Sequence, residues 1–398
     1  MIPRVPLLPT AFLEPRHEEI VAFARSELAV PLTQLDDAFA AGRLDEDGAA
    51  RAAVKALAGT RLLHEAVLGE ARSLCVARRE VAWISGFADC LLALQGLGSC
   101  PIRLAGTDAQ KRRWLEPAAF GAAIPAFALT EPEAGSDARQ LKTLARRDGD
   151  AYVLDGAKTL ITNAGIADYY CLFARMAEDG RHVAFVIEAG TPGLVVARRL
   201  AAMAPHPIGD LELKGCRVPA EQRLGVEGGG LDLALATLDR FRASVGAAAL
   251  GLALRALGEG RAHLRRRRQF GKALADFQLL KAQLAEGFVA LELAHLAVLR
   301  AAWLTDRAAA PAHGAGHAAD RAAAAAASSL AKLEATEAAQ GIIDRAVQFH
   351  GGRGVVKGSV VERLYREVRA LRIYEGTSEI QKLILARELL QGSLAGEG

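Results

Sequence analysis

The feature that most narrows the fold of this chain is a change of rhythm along it. From about residue 18 to 114 apolar residues recur at three- and four-residue spacing, the period of an amphipathic helix, punctuated by Pro31, Gly59, Gly69 and Pro101. Between about 124 and 224 that period is lost. Glycine and proline become frequent, and short β-prone runs appear at 151–154, 169–173 and 183–187. From about residue 230 the helical period returns, with Leu231, Leu235, Leu238, Phe241, Val245, Ala249 and Leu252 stepping along one face. The expected fold class is therefore α+β, mainly α: an N-terminal helical domain over 1–120, a central antiparallel β domain over 121–226, and a C-terminal helical bundle over 227–398. A chain of 398 residues is too long for one ordinary core, which agrees with several domains. The stretch 308–319 reads as a surface loop, and the alanine-rich run 321–333 as a closely packed helix.

Bulk properties remove some functions. A net charge of +3 gives no reason to expect nucleic-acid or membrane binding. The five cysteines, Cys75, Cys90, Cys100, Cys171 and Cys216, form no CxxC pair and accompany no histidine cluster, so neither a disulfide framework nor a metal site is expected. Dispersed thiols of this kind fit a reducing cytoplasm. The N-terminal segment is broken by prolines and lacks a continuous apolar region, so secretion is not expected. The alanine run 322–327 is far too short to span a bilayer.

Five stretches could carry chemistry. In 371–390 one carboxylate, Glu375, lies between Tyr374 and Gly376 just ahead of a helix start. Ser378 and Gln381 have capping-box spacing, and Ile380, Leu383 and Ile384 mark an apolar helical face. A carboxylate on such a turn can serve as a base for a carbon acid. In 127–137, FALTEPEAGSD, Thr130, Gly135 and Ser136 can present donors to a polar ring edge or a phosphate, although an ordinary loop entering a β domain reads the same way. Thr162 in LITN could donate to a buried heteroatom or be a plain strand residue. The run 265–271, RRRRQFG, is either a solvated face or a clamp on a pyrophosphate. Four consecutive arginines fan around a helix, so one or two could point inward. In 348–354, QFHGGRG, the glycines permit near contact with a ligand or form a helix C-cap and loop.

Together these blocks, in this order, resemble the acyl-CoA dehydrogenase family from roughly residue 95 to 388. The first ninety or so residues match only in being helical. The resemblance implies a C-terminal four-helix bundle, FAD at the domain junction, and commonly a homotetramer, with a homodimer as the smaller assembly. It implies that Glu375 is the general base. Thr130 and Thr162 would contact the flavin ring, with Phe127 and Leu160 beside it. Ser136 would touch flavin phosphate or CoA. Arg267 would grip the FAD diphosphate, with Phe270 and Gln278 beside it and Gln348 and Gly352 on the adenosine side, commonly of a neighbouring subunit's FAD. Thr377 and Glu379 would contact FAD in the same subunit. Asp239 and Arg242 would lie near CoA, with Tyr374 and Gly376 on the substrate. The implied reaction is α,β-dehydrogenation of an acyl-CoA to a trans-2-enoyl-CoA, with electrons passed to an electron-transfer flavoprotein. Leu160 stands where the family often has Trp, and Phe127 where Tyr is frequent. An oxidase using O₂, a dehydrogenase of carrier-protein thioesters and a non-enzymatic binding scaffold are the other readings.

Overall fold

The computed structural model describes residues 4–309 and 316–391. Its element order follows the rhythm of the sequence: short and medium helices to Ala119, a β region, then long helices. The loop expected at 308–319 lies largely outside the described residues. Of the described part, Ala309 still belongs to the helix Gln278–Ala309, and the helix Gly316–His350 begins at Gly316.

The β region forms one eight-stranded sheet. Its strands are β1 (Pro125–Ala128), β2 (Leu144–Asp148), β3 (Ala151–Thr162), β4 (Tyr169–Met176), β5 (His182–Glu188), β6 (Leu194–Leu200), β7 (Ile208–Pro219) and β8 (Arg223–Leu224). The order is β6-β7-β3-β2-β4-β5-β8, with β1 on β4. Most pairs are antiparallel, as expected, but β1 and β2 each run parallel to β4. The β-prone runs mark only the first residues of β3 and β4 and the middle of β5.

The sheet is covered on both faces, and the period of two shows how. Tyr170, Leu172 and Ala174 join Tyr152, Leu154 and Phe185 in one apolar cluster, whereas Tyr169, Cys171 and Phe173 join Trp114 and Val186 in another. Strands buried on both sides read as continuous apolar runs, which is why β4 and β5 were visible in the sequence.

The helical part is organised by three long helices, Gly230–Arg266, Gln278–Ala309 and Gly316–His350, followed by two shorter ones, Val360–Arg369 and Ser378–Leu390. Between Phe241 and Leu257 the first is buried on every side. Among the described residues two helices, Gly230–Arg266 and Gln278–Ala309, are long and apolar enough to cross a bilayer, and the apolar window of the first is wholly buried inside the protein. The chain packs as two compact units. One gathers Met1–Thr33, Glu70–Asp89 and Asp239–Gly398; the other gathers Gln34–Gly69 and Cys90–Leu238.

Candidate active site

Glu375 lies in the first unit, on the turn between the 3-10 turn Ala370–Arg372 and the helix Ser378–Leu390. Its φ is +52°, a left-handed conformation that costs a residue with a Cβ, and Gly376 follows at +91°. The turn is held by its carbonyls. Lys332 Nζ donates to Gly376 O at 2.7 Å, and Gln381 Nε2 donates to Gly376 O at 2.9 Å and to Glu375 O at 3.3 Å. The helix cap differs from the expectation. Thr377, not Ser378, is the N-cap, its Oγ1 accepting the Ile380 N–H at 3.3 Å. Ser378 instead donates to Glu337 Oε1 at 2.5 Å. The inward face is polar too: Ser378 and Gln381 are buried, whereas Leu383 is 66% exposed. Gln381 is inside because its amide holds the turn, and that need overrides apolar patterning.

The Glu375 residue is half-buried as a whole, but its Oε2 is sealed from solvent and has no hydrogen-bond partner among the described residues. Burial pushes its carboxyl above the usual carboxylate range, against the pull of the Arg78, Lys332 and Arg242 cations. Arg78 is itself 1% exposed and is gripped by Asp89, Nε to Oδ1 at 3.0 Å and NH2 to Oδ2 at 2.7 Å, with NH1 donating to Ser244 Oγ at 3.0 Å. Burial brings Lys332 down to about 8. Arg242 NH1 donates to Asp239 Oδ1 at 2.6 Å and to Ser329 Oγ at 3.2 Å, so the nominated pair Asp239 and Arg242 is joined. Its buried Nε has no partner among the described residues. Against its burial, Asp89 and then Tyr374 and Glu375 hold the Arg78 guanidinium above its usual value. Sequence reasoning missed Arg78, Asp89 and Lys332. Their signal was charge at otherwise apolar helical positions, within Ala71–Ile84, Gly86–Ala105 and the alanine run.

The other nominated residues of this unit lie at its surface. The helix Gly230–Arg266 stops at Arg266, so the arginine run does not fan around one helix. Arg267 follows the helix end, and Arg268 opens a two-strand hairpin with Phe270 at its tip. Phe270 has φ +51° and is 92% exposed, and its ring meets Phe277 edge-on at 6.2 Å. Gln278, Gln348 and Gly352 are exposed. His263 stacks on His350 with centroids 4.2 Å apart, and burial with the charges of His350, Arg266, Arg267 and Arg353 brings His263 down to about 4. Arg267 and Arg353 thus converge on one cationic patch beside Gly351 and Gly352, where an added Cβ would meet nothing. Gly354 is different: a Cβ there would lie 2.4 Å from Val347 O, so it serves helix termination rather than ligand contact. Thr377 is spent on capping, and Glu379 is exposed in the first turn, held low by its own backbone N–H and the Thr377 hydroxyl.

In the second unit, the Thr130 loop is tied to β3. Thr159 N–H donates to Thr130 O at 2.9 Å. Below it, Lys158 Nζ pairs with Glu131 Oε1 at 2.7 Å, both buried. Burial works against both charges, bringing Lys158 down to about 8, while Lys158 and the hydrogen bonds from Thr143 and the Lys142 backbone keep Glu131 below its ordinary value. This ion pair was also missed. Gly135 and Ser136 are exposed in the same loop, and Phe127 packs on Phe173 at 5.0 Å. Leu160 sits on a β-bulge with φ +56° and is 57% exposed; Thr162 ends β3, its Oγ1 2.7 Å from His206 Nε2.

Within each unit the set has its own chemistry, one suited to a polar ring edge and the other to a phosphate. One unit offers hydroxyls and open glycine at a loop, and the other offers arginines beside open glycines. Residues 126–216 match the acyl-CoA dehydrogenase middle-domain model and 228–390 match the acyl-CoA dehydrogenase C-terminal domain model. The chain belongs to the acyl-CoA dehydrogenase family. It is 36% identical over 330 residues to the short-chain-specific acyl-CoA dehydrogenase of Clostridium acetobutylicum, covering 81% of this chain and 83% of that one. It is 35% identical over 334 residues to the caffeyl-CoA reductase-Etf complex subunit CarC of Acetobacterium woodii, covering 81% and 83%. The structure of an acyl-CoA dehydrogenase from Bacillus anthracis complexed with FAD superposes with a TM-score of 0.87 at 29% identity, over 98% of this chain and 69% of that one. This acyl-CoA dehydrogenase is therefore an FAD-dependent enzyme, and its helical, β and helical-bundle order is the family's fold.

Proposed function

We propose that this acyl-CoA dehydrogenase removes the α-proton of an acyl-CoA thioester with Glu375, giving a trans-2-enoyl-CoA. The observation that carries this reading is the Glu375 carboxyl: strained backbone, a sealed and unpartnered Oε2, and a proton affinity raised by burial. A base with an unused buried oxygen is poised to take a proton from carbon. The cations Arg78, Lys332 and Arg242 keep it from losing its ionised form altogether. The Lys332 and Gln381 bonds to the Gly376 carbonyl fix the turn that aims it. FAD, when bound, supplies the acceptor for the β-hydride. On this reading Thr130, Thr162 and Ser136, with Phe127 and Leu160, meet the flavin side. Arg267 holds the diphosphate with Phe270 and Gln278 beside it, and Gln348 and Gly352 meet the adenosine. Thr377 and Glu379 add FAD contacts at the helix start. Asp239, Arg242, Tyr374 and Gly376 meet the substrate.

The onward acceptor in this reading is an electron-transfer flavoprotein, supported by the Etf complex named for the Acetobacterium woodii relative. An oligomer, tetramer or dimer, is supported by Val289, Leu293 and Leu296, which lie exposed along one face of the helix Gln278–Ala309. The domain plan retained with it is 1–120, 121–226 and 227–398. The test is anaerobic mixing of purified holoenzyme with saturated acyl-CoAs of different lengths. Bleaching of the oxidised flavin by at least one is expected; no bleaching by any contradicts the reading. The reductase name of the same relative favours a second reading, in which the physiological direction is reduction of an enoyl-CoA. Chemically reduced holoenzyme mixed with enoyl-CoAs separates the two, because rapid reoxidation by an enoyl-CoA without any bleaching by saturated thioesters selects the second.

A further inference from the structure

Thr162 does not stand alone at the end of β3. Its Oγ1 lies 2.7 Å from His206 Nε2, and Cys90 Sγ lies against the same imidazole, 3.2 Å from Nδ1 and 3.6 Å from Nε2. The histidine is fixed at its backbone. It sits between Pro205 and Pro207, its N–H donates to Glu46 Oε1 at 2.8 Å, and Asn163 N–H donates to the carbonyl of Pro207 at 2.6 Å. The residue was not among those singled out by motif, and the role assigned to Thr162 does not use it.

Proton counting decides what such a chain can do. A threonine hydroxyl has one proton to give and two lone pairs to receive with, whereas a neutral imidazole carries one N–H and one bare nitrogen. If Thr162 gives its proton to His206, none remains for a ligand. If His206 gives Nε2–H to Thr162, the hydroxyl proton is turned outward. We propose that His206 is a positioning residue that donates Nε2–H to Thr162 Oγ1, so that the Thr162 hydroxyl is held as a donor to the flavin. The proposal rests on the reading of Thr162 as a flavin contact. Burial brings His206 down to about 4, which keeps the ring neutral with a single N–H to give. The same burial disfavours a thiolate–imidazolium couple, so Cys90 and His206 do not form a nucleophile and its base.

The direct test is solid-state ¹⁵N spectroscopy of histidine-labelled holoenzyme, with the His206 signals assigned by difference from His206→Gln. A protonated Nε2 and a bare Nδ1 are expected; a protonated Nδ1 overturns the proposal. The second readout is the flavin itself. His206→Gln keeps an N–H donor toward Thr162 and should leave the absorbance envelope and midpoint potential near those of the wild type. His206→Leu should shift both in the same direction as Thr162→Val, and the double variant should shift no further than Thr162→Val. A wild-type flavin in His206→Leu alongside a shifted one in Thr162→Val overturns the proposal. A wild-type flavin in Thr162→Val removes Thr162 from the cofactor and takes the proposal with it. That failure is told apart because the nitrogen spectrum reads the imidazole independently of the flavin.

Discussion

At the scale of single residues, the base is tuned by groups distant in sequence. Arg78 is the first cation that holds the Glu375 carboxyl down against burial. Replacing it alone would leave Asp89 buried and unpaired, so the informative variant is Arg78→Met with Asp89→Asn. The sign follows from the charges. Glu375 accepts a proton only when ionised, so activity falls as pH drops through its pKa. Losing Arg78 raises that pKa, and losing the weaker opposing influence of Asp89 offsets only part of the rise. The acid limb of the flavin-reduction rate against pH is therefore expected to move upward in stopped-flow measurements, and an unmoved limb contradicts the arrangement. Glu375 itself was legible because an acidic residue flanked by an aromatic and a glycine before a helix start is a local pattern. Arg78 and Lys332 were not, and Arg242 was nominated only for CoA, since the three cations come from three separate helices. Backbone strain carries a second signal that sequence could not show. Leu160, Asn163, Phe270 and Glu375 are the four non-glycine residues with positive φ among the described residues, and three of them were nominated from motifs.

At the scale of elements, the caps and bulges decide where side chains point. Gly376 takes φ +91°, and a Cβ there would lie 2.5 Å from Gln381 Nε2. Gly376→Ala is expected to strain the turn and loosen the amide that holds it, at a cost on the order of 1–3 kcal/mol in chemical denaturation. It should also slow flavin reduction by misaiming Glu375; unchanged stability and rate would show that the turn tolerates a side chain. Element existence was well legible here, while boundaries and inward faces were less so. The β-prone run at 151–154 extends to Thr162 because Lys158, a residue that argues against a buried strand, is neutralised there by Glu131. The last helix turns Ser378 and Gln381 inward against an apolar pattern because their hydrogen bonds to Glu337 and Gly376 require it.

At the scale of the whole molecule, stability should depend on pH through histidines buried neutral. His295 is 2% exposed, accepts from Arg79 NH1 at 2.8 Å, and is brought down to about 3 by burial and then by the Arg79 charge. The unfolded chain binds a proton at this site below about 6.5, whereas the folded protein does so only near its depressed value. Stability from this group is thus complete above about pH 6.5 and lost as pH falls toward 3, by about 2 kcal/mol between pH 7 and pH 5. Denaturation of wild type and His295→Gln at those two pH values checks it, because the variant should lose that part of the slope. Three-part order was readable from the changing hydrophobic period, since periodicity is local. The gathering of Met1–Thr33 and Glu70–Asp89 with Asp239–Gly398 was not, because packing between segments so distant in sequence leaves no periodic trace. The role of Glu375 integrates all three scales, and one measurement addresses it most directly. Glu375→Gln holoenzyme, containing FAD as the wild type does, is mixed anaerobically with whichever acyl-CoA bleaches the wild type. The account predicts an intact flavin spectrum with no reduction beyond a trace, whereas bleaching at the wild-type rate would contradict it.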